Sequence, residues 1–397
     1  MRILFLTYDF CDNEDVGEIR VVWETIMALA KHNLEIHVLA NYYNINSKLP
    51  PNVHIHRVPF SKRSINFPIP VVLKIFLFSL PIILFKRIQI IHLISTNTPS
   101  PYTIFKMKPF VMSADKPWEY DNSKFAGDLL HDNKKKLEES GVVIKRGFFT
   151  KVWDKFAVTV FFLLKLNDSL PRKVDLYVCR SKILFNQLKS KNYKSKLIYL
   201  PHGANSKIFY PKNTTRKLDQ VTFLFVGRIS KRKGVEYLIK AFNKLSDKHK
   251  NIKLLLVGKG AESTVSKFKE IANKNIEFVG ELAHSEINDY YNKSDVFVLP
   301  SLAEPSSLTT LEAMAAGKPI ISTRGGVDDF FVEAEMGFWI EPANVDQLYD
   351  AMEKFVLNQE IINTMGQKTR EYLIHNFTWD IVANKLISAY RTLIPGK

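Results

Sequence analysis

Two carboxylates and a short run of backbone donors share the stretch Asp295 to Thr323, DVFVLPSLAEPSSLTTLEAMAAGKPIIST. Glu304 falls in a polar turn, and Glu312 follows eight residues later. The apolar run Val296, Phe297, Val298, Leu299 makes Asp295 to Pro300 a strand, and the Ala, Leu, Glu and Met content of Thr309 to Ala316 makes it a helix. Glu304 then sits at the C-terminal edge of a strand, where open α/β sheets bind ligands. Ser306, Ser307 and Leu308 present unpaired N–H groups at a helix start. Such a site offers acceptors to hydroxyls and donors to an anion. Gly317, Lys318 and Pro319 close the helix, and Pro319 to Thr323 is the next strand. For an isolated pair of glutamates, solvated helix charges would be the simpler reading. Here the flanking signals favour a site.

The elements that must position these groups alternate strand and helix along the chain. Arg2 to Thr7 reads as a buried strand and Glu18 to His32 as a helix, with Gly17 the one glycine of the turn between them. Asp12, Glu14 and Asp15 precede it and disfavour a bare diphosphate nearby. Glu35 to Ala40, Val53 to Val58, Ile88 to Ser95, Pro109 to Ser113, Asp175 to Arg180 and Lys196 to Leu200 read as further strands, with Ser181 the N-cap of helix Lys182 to Ser190. His92 lies on one of these strands, where a packed histidine is the commoner outcome and a place lining the cleft the alternative. A second run opens with strand Gln220 to Val226 and continues through helix Glu236 to Leu245 and strands Lys253 to Val257 and Ile276 to Val279. Tyr290 and Tyr291 read as packing residues, and Lys231 and Arg232 as solvated. The proline-containing, polar segment Lys207 to Asp219 reads as a linker.

The residues Pro300, Ser301, Glu304 and Glu312, followed by Glu-Ala-Met-Ala-Ala-Gly-Lys-Pro, resemble the signature of the retaining glycosyltransferases of family 4. The resemblance extends to Gly227-Arg228 with Lys233 five residues later, to Gly258 and Gly260, and to Pro201-His202-Gly203-Ala204-Asn205, which is similar to the family's interdomain turn. It implies the GT-B fold, an α/β architecture of two Rossmann-like domains facing a central cleft. The N-terminal domain would span 1–205 and be rejoined by the last helix, 378–397; the C-terminal domain would span 206–377. By resemblance Arg228 and Lys233 hold the diphosphate, Glu312 the ribose and Glu304 the donor sugar, with Arg228, Lys233 and Glu304 counted as catalytic. Two cations on one loop counter the charge that grows on a departing diphosphate. Gly17, Gly258, Gly260, Leu282, Ser306, Ser307 and Leu308 complete the implied donor site. His92, Asp115 and His202 are candidates on the sugar or acceptor side. Asp115 and Lys116 stand where related enzymes often carry a histidine, so no role follows for Asp115.

The implied reaction moves a sugar from a nucleotide-diphosphate sugar, UDP- or GDP-linked, to an acceptor hydroxyl with retention of configuration. No cofactor is expected. Asp328-Asp329 lacks the Asp-x-Asp spacing of metal-binding transferases, so no catalytic metal is implied.

The 397 residues suffice for two domains, and 46% hydrophobic with 24% charged residues is a globular composition. Cys11 and Cys179, the two cysteines, form no metal or disulfide pattern, and the apolar start at Met1 is not a secretory signal. A cytoplasmic location is expected. The net charge of +16, from 56 basic and 40 acidic residues, calls for an anionic partner. No nucleic-acid-binding signature accompanies it. Phe67 to Ile91 is strongly apolar and ends in Lys86 and Arg87; Phe148 to Leu166 is similar. Both suit either a core helix or an anionic membrane interface. The first expectation for the acceptor is therefore a lipid-linked or membrane-presented glycan, with peripheral contact at the cytoplasmic membrane face; a soluble polysaccharide or small molecule is the alternative. The rival readings are a catalytically silent binding protein of the same fold and a basic nucleic-acid binder.

Overall fold

The computed structural model describes residues 1–12, 17–58, 68–94, 108–114, 174–191, 195–212, 220–304, 306–323 and 335–394. Asp115, the helix expected at Phe148 to Leu166 and the segment holding Asp328-Asp329 lie outside them. The chain divides into two compact units. The first comprises Met1–Glu14, Glu18–Tyr199 and Ile387–Lys397; the second comprises Leu200–Leu386 with Asp15–Gly17.

The first unit holds a parallel sheet of strands β1 (Arg2–Cys11), β2 (Glu35–Asn44), β3 (Val53–Arg57), β4 (Ile90–Ile94), β5 (Phe110–Ala114), β6 (Leu176–Cys179) and β7 (Lys196–Tyr199). Their order is β3-β2-β1-β4-β5-β6-β7. β1 and β2 are longer than their apolar runs suggest, because Asp9 to Cys11 stay in register with Tyr42 to Asn44. Every residue of β4, β5 and β6 is buried, as a parallel sheet covered on both faces requires. Helices α1 (Gly17–Ala30), α2 (Pro68–Phe85) and α3 (Lys182–Ser190) belong to this unit, and the Ser181 hydroxyl accepts from the Leu184 N–H as the expected N-cap.

His92 on β4 is fully buried, with Nε2 2.6 Å from the Ser113 hydroxyl and Nδ1 hydrogen-bonded to the Tyr390 hydroxyl. The structure thus places it in the core, not at a surface open to a ligand. Burial holds its ring neutral, well below the ordinary histidine pKa. Its partner Tyr390 comes from the last helix and fastens that helix to the first sheet.

A second histidine group stands at the sheet edge. His37 Nδ1 is 2.9 Å from His56 Nε2, and the ring stacks on His54 at 4.9 Å between centroids. Burial, then the neighbouring His56 and His54, lower the His37 pKa to about 4, while Glu35 opposes the shift. The unfolded chain takes up this proton near pH 6.5, so the contribution is present above 6.5 and is lost as pH falls toward 4. The expected loss is at most about 3 kcal/mol. Thermal unfolding at pH 7 and pH 4.5 checks it: wild type loses more melting temperature over that interval than His37→Phe, which has no proton to gain.

The second unit is a parallel sheet of β8 (Val221–Val226), β9 (Ile252–Val257), β10 (Ile276–Gly280), β11 (Val296–Leu299), β12 (Ile320–Thr323) and β13 (Gly337–Ile340), ordered β10-β9-β8-β11-β12-β13. Helices α4 (Val235–Lys248), α5 (Glu262–Ile271), α6 (His284–Lys293), α7 (Leu308–Ala315), α8 (Val345–Leu357) and α9 (Glu360–Asn376) flank it. Val221 to Val226 and Val296 to Leu299 are buried throughout and form the centre of the core with Leu238, Phe242, Met314 and Ile320. The strand order reverses between β8 and β11, so the connections leave their C-terminal ends in opposite directions and open a crevice there.

The last helix, α10 (Trp379–Arg391), begins in the second unit and ends in the first. Thr378 precedes it, pairing with Ala204 in an isolated bridge and accepting at its hydroxyl from the Ile381 N–H.

Candidate functional site

The loops leaving β8, β9 and β11 meet at this crevice. After β8 the chain turns at Gly227, exposes Arg228, buries Ile229 and makes one 3₁₀ turn over Lys231–Lys233 before Gly234 starts α4. The loop after β9 lies directly against it: the Ile229 N–H donates to the Lys259 carbonyl at 2.8 Å, and the Gly227 N–H to Val257 at 3.0 Å. A Cβ on Gly258 would sit 2.0 Å from the Gly227 carbonyl oxygen, and one on Gly260 2.3 Å from that of Ile229. These glycines therefore let two loops stack, a reason separate from any ligand.

The loop after β11 carries Glu304 and is held from the β8 side. The Leu302 N–H donates to the Arg232 carbonyl at 2.8 Å, and Arg232 Nη1 donates to the Ala303 carbonyl, also at 2.8 Å. Arg232 is thus a strut between the loops and not the solvated cation its sequence context suggests. Lys233 pairs with the Glu304 carboxylate, which is also 3.4 Å from the Ser301 hydroxyl. Both charged side chains are largely buried, at 14% and 9% exposure. Burial lowers the Lys233 pKa, Glu304 pulls it back up, and Arg232 and Arg228 lower it further. A buried ion pair flanked by two more cations has a net positive field.

Glu312 lies within α7 and is buried at 6% exposure. The Tyr291 hydroxyl donates to the Thr309 carbonyl at 2.9 Å and lies 3.3 Å from Glu312 Oε2; His284 Nε2 is 3.5 Å from Glu312 Oε1. Phe209 packs edge-on against both rings, with centroids 5.0 Å from His284 and 5.7 Å from Tyr291. Ser307 caps α7 by accepting from the Thr310 N–H at 3.2 Å. The first-turn N–H groups, at Leu308 and Thr309, have no carbonyl four residues earlier in the helix and so remain available to an anion.

Over residues 206–372 the chain matches the family described as Glycosyl transferases group 1. The second unit is a group 1 glycosyltransferase domain. The chain spans about half the length of the curated relatives it matches. It is 27% identical over 222 residues to an uncharacterized glycosyltransferase, MJ1607, of Methanocaldococcus jannaschii, covering 53% of each chain. It is also 27% identical over 231 residues to the capsular polysaccharide biosynthesis glycosyltransferase CapM of Staphylococcus aureus, covering 54% of this chain and 60% of CapM. Among solved structures, sucrose-phosphate synthase from Thermosynechococcus elongatus superposes with a TM-score of 0.71 at 20% identity, covering 99% of this chain and 98% of that one. The fold is therefore GT-B, as the sequence resemblance implies.

Within the group 1 domain, Arg228, Lys233, Glu304, Ser306 and Ser307 fall on the connections that follow the C-terminal ends of β8 and β11, Leu308 is the first residue of α7, and Glu312 is one turn further into that helix. Leu282, two residues after the end of β10, is half-buried against the core. His202 is buried near Trp379, its ring centroid 6.4 Å from the indole, so it packs at the turn where α10 begins. Gly17 is exposed at the start of α1. Arg232, His284 and Tyr291 are the participants that sequence patterns miss. Their partners lie 71, 28 and 21 residues away, and no local spacing marks them. Among the described residues no group of three histidines, cysteines or carboxylates could hold a metal ion.

Proposed function

We propose that the protein transfers a sugar from a nucleoside-diphosphate sugar to an acceptor hydroxyl, retaining the anomeric configuration and needing no catalytic metal. The observation that carries this reading is the Lys233–Glu304 pair, with Arg228 beside it, at the strand-order switch of a group 1 domain. A diphosphate entering there meets Arg228 and Lys233. Lys233 exchanges the Glu304 carboxylate for phosphate oxygens, which releases Glu304 to align the sugar as positive charge grows at its anomeric carbon. Glu312, steadied by Tyr291 and His284, accepts from the ribose hydroxyls, and the first-turn amides of α7 add donors to the phosphates.

The donor is UDP- or GDP-linked in this reading, and the acceptor is a lipid-linked or membrane-presented glycan reached from the cytoplasmic face. The relation to CapM, named for capsular polysaccharide biosynthesis, supports a glycan product. A thermal-shift screen with UDP, GDP and ADP and their sugars tests the donor site. A nucleotide at one hundred times its Kd should stabilise the protein by about 2.7 kcal/mol. No shift with any of them would overturn the reading; a shift without release of free nucleoside diphosphate in the presence of varied acceptors would favour a silent binding protein.

A further inference from the structure

Helix α2 has two apolar faces, and the core of its unit uses one. Ile75, Phe76, Ser79 and Ile83 are buried on the sheet side. Leu77, Phe78, Leu84 and Phe85 are exposed by 54%, 40%, 66% and 82%, with exposed Pro81 between them. Their positions i, i+1, i+4, i+7 and i+8 lie along one stripe of the helix. Ten large apolar side chains are exposed among the described residues, and four of the ten are on this stripe. The others are dispersed along the chain, an ordinary surface pattern. A contiguous exposed apolar stripe is not ordinary and marks an interaction surface.

The charges at its rim identify the partner. Pro68–Phe85 contains no acidic residue and one lysine, Lys74, and it runs directly into Lys86 and Arg87, both exposed. Burial, then His54 and last Lys86, depress the proton affinity of His56 on β3, which places the Lys86 charge near that ring, and exposed Arg57 follows His56. Among the described residues, the charged groups that adjoin the stripe at the C-terminal end of the helix and on β3 are cationic, which complements an anionic surface. No described helix is long and apolar enough to cross a membrane, so the stripe suits a helix lying in the interface plane.

We propose that α2 docks the first unit onto an anionic bilayer, with Leu77, Phe78, Leu84 and Phe85 entering the acyl boundary and Lys86 and Arg87 meeting lipid phosphates. The assignment rests on the membrane-presented acceptor above for its purpose, while the face itself is testable without donor or acceptor. It gives a concrete role to part of the +16 charge.

The test is co-sedimentation of the full chain with vesicles of phosphatidylglycerol and phosphatidylcholine, or of phosphatidylcholine alone, at about 0.15 M salt. Wild type should sediment with the anionic vesicles and far less with the neutral ones. Leu84→Glu with Phe85→Glu should weaken binding about tenfold or more, and Lys86→Glu with Arg87→Glu about tenfold. Both double variants, and a milder Leu84→Ser with Phe85→Ser, should keep the wild-type melting temperature because the altered side chains are exposed.

Failure of wild type to sediment, equal binding to neutral vesicles, or unimpaired binding by either glutamate variant would overturn the proposal. A large fall in melting temperature for the serine variant would do so too, since the stripe would then be covered by the protein's own chain. So would a dimer that the glutamate variant dissolves in the absence of vesicle binding. Nucleotide thermal shifts measured on the same samples keep the outcomes apart: lost sedimentation with intact shifts removes the docking face alone, and absent shifts remove the donor reading alone.

Discussion

Lys233→Ala is expected to lower release of nucleoside diphosphate from the donor by about 10²–10³-fold, the usual cost of removing one preorganised group that stabilises developing charge. Arg228 remains, but it is exposed and screened by solvent, whereas the Lys233 ammonium acts from a largely buried position where its field is stronger. The same change strands the Glu304 carboxylate at 9% exposure with its cation gone, which should cost up to about 3 kcal/mol of stability. The two effects separate in a double-mutant cycle. Lys233→Ala combined with Glu304→Gln removes both charges, so the part of the stability cost that comes from the stranded carboxylate should largely disappear while turnover stays low. Turnover near wild type in Lys233→Ala, with donor release followed directly, would show that the diphosphate is held elsewhere.

The largest structural effect should come from Gly234→Ala. Gly234 has φ of 70°, a left-handed conformation that costs an alanine about 1–2 kcal/mol. The added Cβ would also lie 1.8 Å from the Pro300 carbonyl oxygen, a backbone atom that cannot move without shifting the loop bearing Glu304. The combined loss should reach about 3 kcal/mol or more, read as a fall in melting temperature of about 6 °C or more. Gly280→Ala supplies the control. Gly280 has φ of 92°, but a Cβ there meets nothing within 4 Å, so only the conformational cost applies. Equal destabilisation by the two variants would mean that the start of α4 does not press against Pro300.

The contrast between these glycines bears on what can be read from a sequence. Gly258 and Gly260 read as part of a nucleotide loop, and the structure adds a second reason for glycine there: the carbonyls of Gly227 and Ile229 take the space a Cβ would need. The close approach is a property of two strand ends brought side by side, which no local pattern contains. Arg232 makes the same point with opposite sign. Its neighbours Lys231 and Lys233 suggest a solvated basic run, but the turn aims its guanidinium at Ala303, 71 residues away. Phe67 to Ile91 admits either a core or an interface reading from composition, and the structure shows a helix serving the core with one face and exposing the other.

Chain-local physics determined the alternation of apolar strands and amphipathic helices, the Ser181 and Ser307 caps, the placement of Arg228, Lys233 and Glu304 after strand ends, and that of Glu312 inside the helix that follows. These follow from side-chain periodicity and from backbone groups left unsatisfied at helix termini, both set by residues a few positions apart. Tertiary structure alone decided that Glu304 is neutralised by Lys233, that Tyr291 and His284 brace Glu312, and that His92 is sealed between Ser113 and Tyr390. Each of those pairings depends on which strands become neighbours and how deeply a charge is buried. Both are settled by the packing of the whole sheet, and burial then sets how strongly each pair interacts.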